Sequence, residues 1–371
     1  MIFINALSAL RGGGQTYLLH LLKRIPEHLH GKVIVLAHQK NQHIFTPYKE
    51  QIQVLVSDIA SRSLFHRVFF ENFILKKILI RNKVNVFFSV SGLVPNWKLE
   101  GVRLVSVFQN QLPFAPTERK RYPYGFMRFK FLLLKFLQTQ SLKNSDLCIF
   151  LTEYSRRNIA AYVPKPLKGS VVIGHGLSQW FREKPPIGRP KELHGEYVLY
   201  VSTLDVYKAQ LEVIQAWYQL RQKRETREKL VLIGPEEAYY GNKIRSRIKD
   251  LNLEEEVLIL ESVAYENLPC YYHNAKINIY ASSCESFGII LLEKLAAGKP
   301  VFCSNYDPFS EIAGDSVEYF DPYQPVTLTN LFLKYLDDEN ALSQLGKKAS
   351  QHSEKFDWAV TAAQTWKALD I

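Results

Sequence analysis

Glu285 and Glu293 stand eight residues apart in Ser283-Cys284-Glu285-Ser286-Phe287-Gly288-Ile289-Ile290-Leu291-Leu292-Glu293. The apolar run Ile277-Asn278-Ile279-Tyr280-Ala281 comes directly before them. Two acids so placed suit either acid/base cleavage of a glycoside or recognition of hydroxyl groups. If the interval were helical, the carboxylates would lie about 12 Å apart along the axis. A glycosidase pair sits roughly 5 to 9.5 Å apart. The spacing therefore favours an extended polyol, with each carboxylate accepting hydrogen bonds from a different hydroxylated ring. The plainer alternative is a solvated helix with two ordinary surface acids.

The elements that must hold these acids follow from the apolar pattern. Short buried runs, read as strands, fall at 2–6, 33–37, 54–56, 86–90, 104–108, 147–152 and 171–173. A second series falls at 197–202, 230–234, 257–260, 277–282, 301–304 and 317–320. Apolar residues recur at helical spacing near 17–24, 64–81, 125–143, 210–223, 241–251, 266–274, 289–297 and 326–336. Strand-helix alternation implies an α/β chain with parallel sheets. Phe181-Arg182-Glu183-Lys184-Pro185-Pro186-Ile187-Gly188-Arg189-Pro190 reads as a linker, because three prolines and a glycine interrupt any regular element. The expectation is two Rossmann-like domains facing across a cleft. In such sheets ligands bind outside the carboxyl ends of the strands, where both glutamates fall.

Other strand ends carry polar or permissive residues. Leu10-Arg11-Gly12-Gly13-Gly14-Gln15-Thr16 follows the first strand. Its glycines allow close backbone approach and aim amides at an anion, or they form a bare tight turn. Tyr200-Val201-Ser202-Thr203-Leu204-Asp205-Val206-Tyr207-Lys208-Ala209-Gln210 is the matching turn of the second half. There Lys208, just before a helix, suits a phosphate; alternatively it is a solvated lysine. Phe108-Gln109-Asn110-Gln111-Leu112-Pro113-Phe114 places three amides at a strand end, suited to hydroxyl recognition or to capping the loop. Gly174-His175-Gly176 closes the first half, with His175 either in the cleft or a structural turn residue.

Taken together, these segments resemble the family-4 glycosyltransferases, retaining enzymes of GT-B architecture. Glu285-Ser286-Phe287-Gly288 through Glu293, followed by Ala296-Ala297-Gly298-Lys299-Pro300-Val301, is similar to their E-x7-E signature. The likeness extends to Val231-Leu232-Ile233-Gly234, Glu311-Ile312 and Tyr319-Phe320-Asp321-Pro322. It also takes in the hinge at His175, the early glycines and Phe356-Asp357-Trp358. Residues 109–114 look like the Asn-x-x-Pro-Phe loop of bacterial polysaccharide members. The resemblance implies an acceptor-binding domain over 1–182, a nucleotide-sugar domain over 190–353, and a C-terminal helix over 354–371 crossing back to the first domain. It implies that Glu293 holds the ribose, Glu285 the donor sugar, and Lys208 the diphosphate. Amides of Phe287, Gly288 and Ile289, with Ser286, would face sugar or phosphate. Gly13 and Gly14 would approach the diphosphate, and Val263 in the turn Ser262-Val263-Ala264-Tyr265 would border the base. Gln109, Asn110 and His175 would lie on the acceptor side. Thr203 departs from the pattern, since the family usually has an arginine there; Arg11 is the nearest substitute by motif.

The implied activity is metal-independent transfer from a nucleoside-diphosphate sugar to a saccharide or lipid-linked acceptor in bacterial surface polysaccharide or lipopolysaccharide synthesis. No cofactor is expected. No D-x-D occurs to hold a metal-bound donor, and no nucleophile emerges for a double displacement. A catalytically weak nucleotide-sugar-binding assembly partner of the same fold is the alternative, raised by Thr203. A nicotinamide enzyme is disfavoured, because Tyr17 stands where the third glycine of G-x-G-x-x-G would be. P-loop, H-E-x-x-H and G-x-S-x-G motifs are absent.

Composition sets the remaining bounds. A chain of 371 residues with 47% hydrophobic content can build two ordinary domains. The four cysteines are scattered, which fits reduced thiols in a cytoplasmic protein rather than a disulfide frame or zinc site. Neither a signal peptide nor a membrane span is expected. The net charge of +11 is uneven: +18 over residues 1–185 and −7 over 186–371. A basic front half calls for an anionic partner. Arg119, Lys120, Arg121, Arg128 and Lys130 interleave with aromatics, and Arg67, Lys76, Lys77, Arg81 and Lys83 cluster upstream. This points to peripheral binding at the inner face of an anionic membrane, with no nucleic-acid motif. The alternative is that the apolar members of both stretches face the sheet.

Overall fold

The computed structural model describes residues 1–10, 12–163, 167–183, 188 and 190–370, leaving aside the side chains of Leu64 and Ala238. Arg11 and the linker residues 184–187 and 189 therefore lie outside the described residues. The chain divides into two compact units. The first comprises 1–114, 123–176 and 357–371; the second comprises 115–122 and 177–356. The short segment 115–122 thus packs with the second unit, although the sequence around it belongs to the first.

Seven strands make the sheet of the first unit: β1 (Ile2–Asn5), β2 (Val33–Ala37), β3 (Ile52–Val56), β4 (Val86–Ser89), β5 (Arg103–Phe108), β6 (Leu147–Phe150) and β7 (Ser170–Val172). All pair in parallel, in the order β3-β2-β1-β4-β5-β6-β7. Six strands make the second: β8 (Tyr197–Val201), β9 (Lys229–Ile233), β10 (Val257–Leu260), β11 (Ile277–Tyr280), β12 (Val301–Ser304) and β13 (Glu318–Phe320). These too are parallel, ordered β10-β9-β8-β11-β12-β13. Continuous apolar runs such as Tyr197–Val201 are buried along their whole length, as strands covered on both faces must be. All four cysteines are free and buried.

The order of each sheet reverses once, between β1 and β4 and between β8 and β11. That reversal is where an open α/β sheet opens a crevice at its carboxyl edge. The glycine turn follows β1; the Lys208 and Glu285 loops follow β8 and β11.

The helix Trp358–Leu369 ends the chain within the first unit, as expected of a returning C-terminal helix. Asp357 caps it by accepting from the Ala359 amide. It lies against the helix Gly13–Leu22. The Tyr17 hydroxyl meets Thr365 Oγ1 at 2.9 Å, and Trp366 Nε1 donates to the Leu21 carbonyl. The His20 ring stacks on Trp358 at 4.4 Å. Gly176 touches the Trp358 backbone so closely that a Cβ there would collide with it.

Among the described residues, the short helices Asp58–Arg62, Pro116–Arg121 and Phe309–Ala313 escaped the sequence reading, as did the longer Glu153–Ala160 and Glu339–Ser353, where few apolar residues mark the buried side. The stretches 64–81 and 125–143 go against the alternative in which their apolar members face the sheet. Their apolar residues do not all face the sheet: Phe65, Phe69, Phe73, Phe126, Phe129, Leu132 and Phe136 are exposed.

Candidate functional site

The turn after β8 is built to present one amine. Asp205 accepts from the Val206 amide at 2.7 Å and so caps the short helical turn Val206–Lys208. The Tyr200 hydroxyl, rising from β8, donates to the Lys208 carbonyl at 2.6 Å. Ala209 takes a left-handed conformation (φ 55°) that lets the chain enter the helix Gln210–Arg221 directly after Lys208. Lys208 is thereby buried, and its Nζ is paired with Glu285 Oε1. Burial pulls the Lys208 amine down, but the charge and hydrogen bond of Glu285, together with Tyr200 and Asp205, outweigh it and hold the pKa above the ordinary lysine value. Lys208 is therefore an ammonium.

Glu285 sits in the loop after β11. Besides Lys208, its Oε1 accepts from Ser282 Oγ at 3.0 Å and from the Tyr280 hydroxyl at 3.2 Å. Ser283 ties this loop to the other, since its amide and its hydroxyl both donate to the Tyr207 carbonyl, at 2.9 and 3.0 Å. Gly288 then turns the chain with φ 98°, and a Cβ there would come within 2.8 Å of the Tyr280 hydroxyl. The following helix begins only at Ile289. Only the second half of the Glu285 to Glu293 interval is helical, so the 12 Å separation, which assumed helix throughout, does not apply. Ser286 and Phe287 are buried in the same loop; Gly288 and Ile289 are half-buried at the helix N-terminus.

Glu293 lies one helical turn further on, in an apolar setting. It accepts from the hydroxyls of Tyr265 and Tyr272, at 3.0 and 3.1 Å. Burial pushes its carboxyl up to about 7, against the pull of those two donors. The next residue, Lys294, is also fully buried. Its Nζ donates to the Val201 carbonyl at 2.9 Å and faces the rings of Tyr200 and Tyr280. Burial drives the Lys294 pKa well below its ordinary value, opposed first by the Glu293 charge.

The raised Glu293 value has a measurable consequence. A folded-state carboxyl near 7, against 4.5 for an ordinary glutamate, keeps its proton where the unfolded chain has lost it. Its contribution to stability is fully present below about 4.5 and is lost as pH rises through about 7, by roughly 3 kcal/mol. Glu293→Gln should flatten that part of the stability-pH curve. Urea unfolding at several pH values in the interval checks this; a variant with the wild-type slope excludes Glu293 as the titrating group.

The segment 115–122 braces the back of both loops. Its helix Pro116–Arg121 ends in a guanidinium that pairs with Glu212, reaches Glu118 Oε2 at 3.2 Å and donates to the Tyr323 hydroxyl at 2.6 Å. The Tyr323 hydroxyl lies 2.5 Å from Glu118 Oε1 and 2.8 Å from Ser283 Oγ. Tyr122 donates to Asp205 Oδ1 at 2.6 Å. The strap holds the residue capping the Lys208 turn directly and the serine near Glu285 through Tyr323.

Of the residues singled out from sequence, Lys208, Glu285, Ser286, Phe287, Gly288, Ile289 and Glu293 are gathered at the carboxyl edge of β8 and β11. Val263 is half-buried in the turn from which Tyr265 reaches Glu293. Thr203 is exposed, and its carbonyl accepts from Gln210 Nε2 at 3.0 Å. Gly13, Gly14, Gln109, Asn110 and His175 belong to the first unit. There a Cβ on Gly14 would lie 3.2 Å from Gln109 Oε1, so the glycine turn and the amide loop adjoin. Asn110 is exposed. His175 is buried against Tyr17 and Trp358, at 5.5 and 5.4 Å between rings. Burial, then the charge of His20, pushes its pKa down to about 3, so the ring is neutral. Sequence reasoning named Tyr265 only within the turn near the base, without its link to Glu293, and did not find Tyr272, Lys294 or the 115–122 strap. The tyrosines clustered at 265, 271 and 272 were the signal for the pair that meets Glu293.

Residues 183–352 match the family model described as Glycosyl transferases group 1. Over that span, which lies within the second unit, the chain is similar to the members of that family. A curated relative, the D-inositol 3-phosphate glycosyltransferase of Corynebacterium efficiens, is 28% identical over 188 residues, covering 49% of this chain and 44% of that one. The O-antigen chain mannosyltransferase B of Escherichia coli is 25% identical over 238 residues, covering 62% of each. The chain thus spans about half the length of the curated relatives it matches. Among solved structures, Anabaena HepE in complex with UDP and glucose superposes with a TM-score of 0.74 at 15% identity, covering 99% of this chain and 98% of that one. WaaG, a glycosyltransferase involved in lipopolysaccharide biosynthesis, gives 0.76 at 12% identity, covering 100% and 99%. These likenesses show the fold, which is GT-B with two parallel Rossmann-like sheets.

Proposed function

We propose that this protein is a retaining glycosyltransferase, moving a sugar from a nucleoside-diphosphate sugar to a saccharide or lipid-linked acceptor in bacterial surface polysaccharide synthesis. The observation that carries this reading is the buried Lys208–Glu285 pair at the carboxyl edge of β8 and β11, with Glu293 one helical turn along. A buried ammonium beside a helix N-terminus suits a diphosphate, whose charge grows as it leaves. On donor binding Lys208 passes from Glu285 to the phosphates. The freed Glu285 carboxylate then accepts from hydroxyls of the transferred sugar, while Glu293 accepts from the ribose. Gly13 and Gly14 approach the diphosphate by backbone, Thr203 and Val263 border the donor, and the amides of Phe287, Gly288 and Ile289 face sugar or phosphate. The acceptor hydroxyl attacks the face the diphosphate leaves, and a phosphate oxygen takes its proton. Gln109, Asn110 and the buried His175 are the acceptor-side residues.

In this reading the functional domains are 1–182 for the acceptor and 190–353 for the nucleotide sugar, with 354–371 as the returning helix. The basic first half supports a location in the cytoplasm at the inner face of an anionic membrane. Thr203, exposed where a second cation is usual, favours the second reading of a nucleotide-sugar-binding partner with weak activity.

A thermal-shift series with nucleoside diphosphates and nucleotide sugars tests the donor site. A ligand at about 100 times its dissociation constant adds about 2.7 kcal/mol. Wild type should shift with one base, and Lys208→Met should lose the response to the diphosphate while remaining folded. If no nucleotide shifts the wild-type protein, the donor assignment is wrong. Binding without transfer to any lipid or glycan acceptor favours the second reading.

A further inference from the structure

Two stretches of the first unit leave large apolar side chains in solvent. One runs from Leu64–Phe69 through the wide turn Phe70–Ile74 to Leu75–Arg81; the other is the helix Phe126–Asn144. In the first, Phe65 is 80% exposed and Phe73 65%; in the second, Phe126 is 76% and Phe129 64%, beside Tyr124 at 89%. Their inward sides are satisfied elsewhere. Phe70, Leu75 and Leu79 pack with Phe87 and Leu104, while Leu142 packs with Phe108 and Cys148. Leu104 and Phe108 are four residues apart on β5 and so point to the same face of the sheet. Both helical stretches therefore cover one face, and both outward sides look the same way. The loop between β4 and β5 links them: Trp97 Nε1 donates to the Glu71 carbonyl, and Ser141 Oγ bonds the Gly92 carbonyl and the Val94 amide.

The charges on these stretches are almost all of one sign. Residues 62–83 hold six Lys+Arg and one acid, Glu71, which is paired with Arg67. Residues 124–144 hold four Lys+Arg and no acid. Lys76, Lys77, Arg81 and Lys130 are exposed. An aromatic surface of this size marks an interaction site. A second copy of the chain would bring the same cations against themselves in a symmetric contact, which charge opposes. An anionic bilayer complements both features, accepting rings at the headgroup level and cations at its phosphates.

We infer that this face of the first unit docks on an anionic lipid bilayer, with Phe65, Phe73, Phe126 and Phe129 entering the headgroup layer and Lys76, Lys77 and Lys130 meeting lipid phosphates. The inference rests on the membrane location proposed above and not on the transfer reaction.

Cosedimentation of the full chain with vesicles tests it, using phosphatidylcholine alone or mixed with phosphatidylglycerol. Wild type should bind the mixed vesicles at low salt and release as salt rises. Lys76→Glu/Lys77→Glu should weaken binding roughly 25-fold or more, at about fivefold per charge removed. Phe126→Ser/Phe129→Ser should weaken it as well, while the remaining binding keeps its salt dependence. All four positions are exposed, so unfolding midpoints and nucleoside diphosphate binding should match wild type, which separates this result from failure of the donor site. If wild type binds and both variants bind equally well, the membrane location stands and this face is wrong. Wild type that ignores anionic vesicles overturns both. So does a concentration-dependent dimer that ignores vesicles and is abolished by the phenylalanine substitutions, since a second copy then covers the face.

Discussion

Glu285→Gln is expected to lower sugar transfer about 10²- to 10³-fold while leaving nucleoside diphosphate binding intact or slightly tighter. The asymmetry follows from the partner exchange at Lys208. In the free protein the ammonium is neutralised by Glu285 and steadied through Ser282 and Tyr280. Diphosphate must compete with that carboxylate. Glutamine keeps the size of the side chain and removes the competing charge, so the phosphate site is no weaker. What is lost is a carboxylate able to accept strongly from sugar hydroxyls as the bond to the diphosphate breaks. Initial rates with a nucleotide sugar, beside calorimetry with the diphosphate alone, separate the two effects. Parallel loss of binding and transfer would show that Glu285 and Glu293 do not divide sugar and ribose between them. Unchanged transfer would remove Glu285 from the reaction.

Arg121→Ala is expected to destabilise the second unit by about 3 kcal/mol. The guanidinium is largely buried and answers two carboxylates, Glu118 and Glu212, together with the Tyr323 hydroxyl. Removing one partner of such a cluster strands the others without solvent, at a cost of about 3–5 kcal/mol. Arg121 is partly exposed, which places the effect near the lower end. Arg121→Lys should recover only part of it, because an ammonium cannot fork to three acceptors as the planar guanidinium does. Chemical unfolding of both variants measures this. A wild-type midpoint for Arg121→Ala would mean that the strap contributes nothing to the fold of the unit.

The inner strands were legible because a parallel strand buried on both faces is a short apolar run, as in β2, β8 and β12; the edge strands β3, β7 and β13 carry Gln53, Ser170 and Glu318 and are only partly buried. The glutamate pair and Lys208 were legible because their loops follow such runs. What the sequence hid depends on distant partners. Tyr122 and Arg121 read as members of a basic surface stretch, yet one holds Asp205 and the other Glu212, some ninety positions away. Lys294 reads as an ordinary helix lysine; only the tyrosines from β8, β11 and the helix Leu268–Asn274 enclose it. The helix Phe126–Asn144 carries apolar residues on both sides, so its periodicity could not say which side met the sheet. Phe131 and Leu142 turned inward, and Phe126 and Phe129 did not.

The strap also bears on how the protein can be taken apart. The family match begins at residue 183, and a fragment cut to it would retain Asp205, Glu212 and Tyr323 but discard the side chains that satisfy them. Under the proposed function, such a fragment would misreport the donor affinity of the intact chain. Supplying 115–122 as a separate peptide, or grafting it onto the fragment through a short linker, is the minimal way to isolate this half with its loops in their native positions.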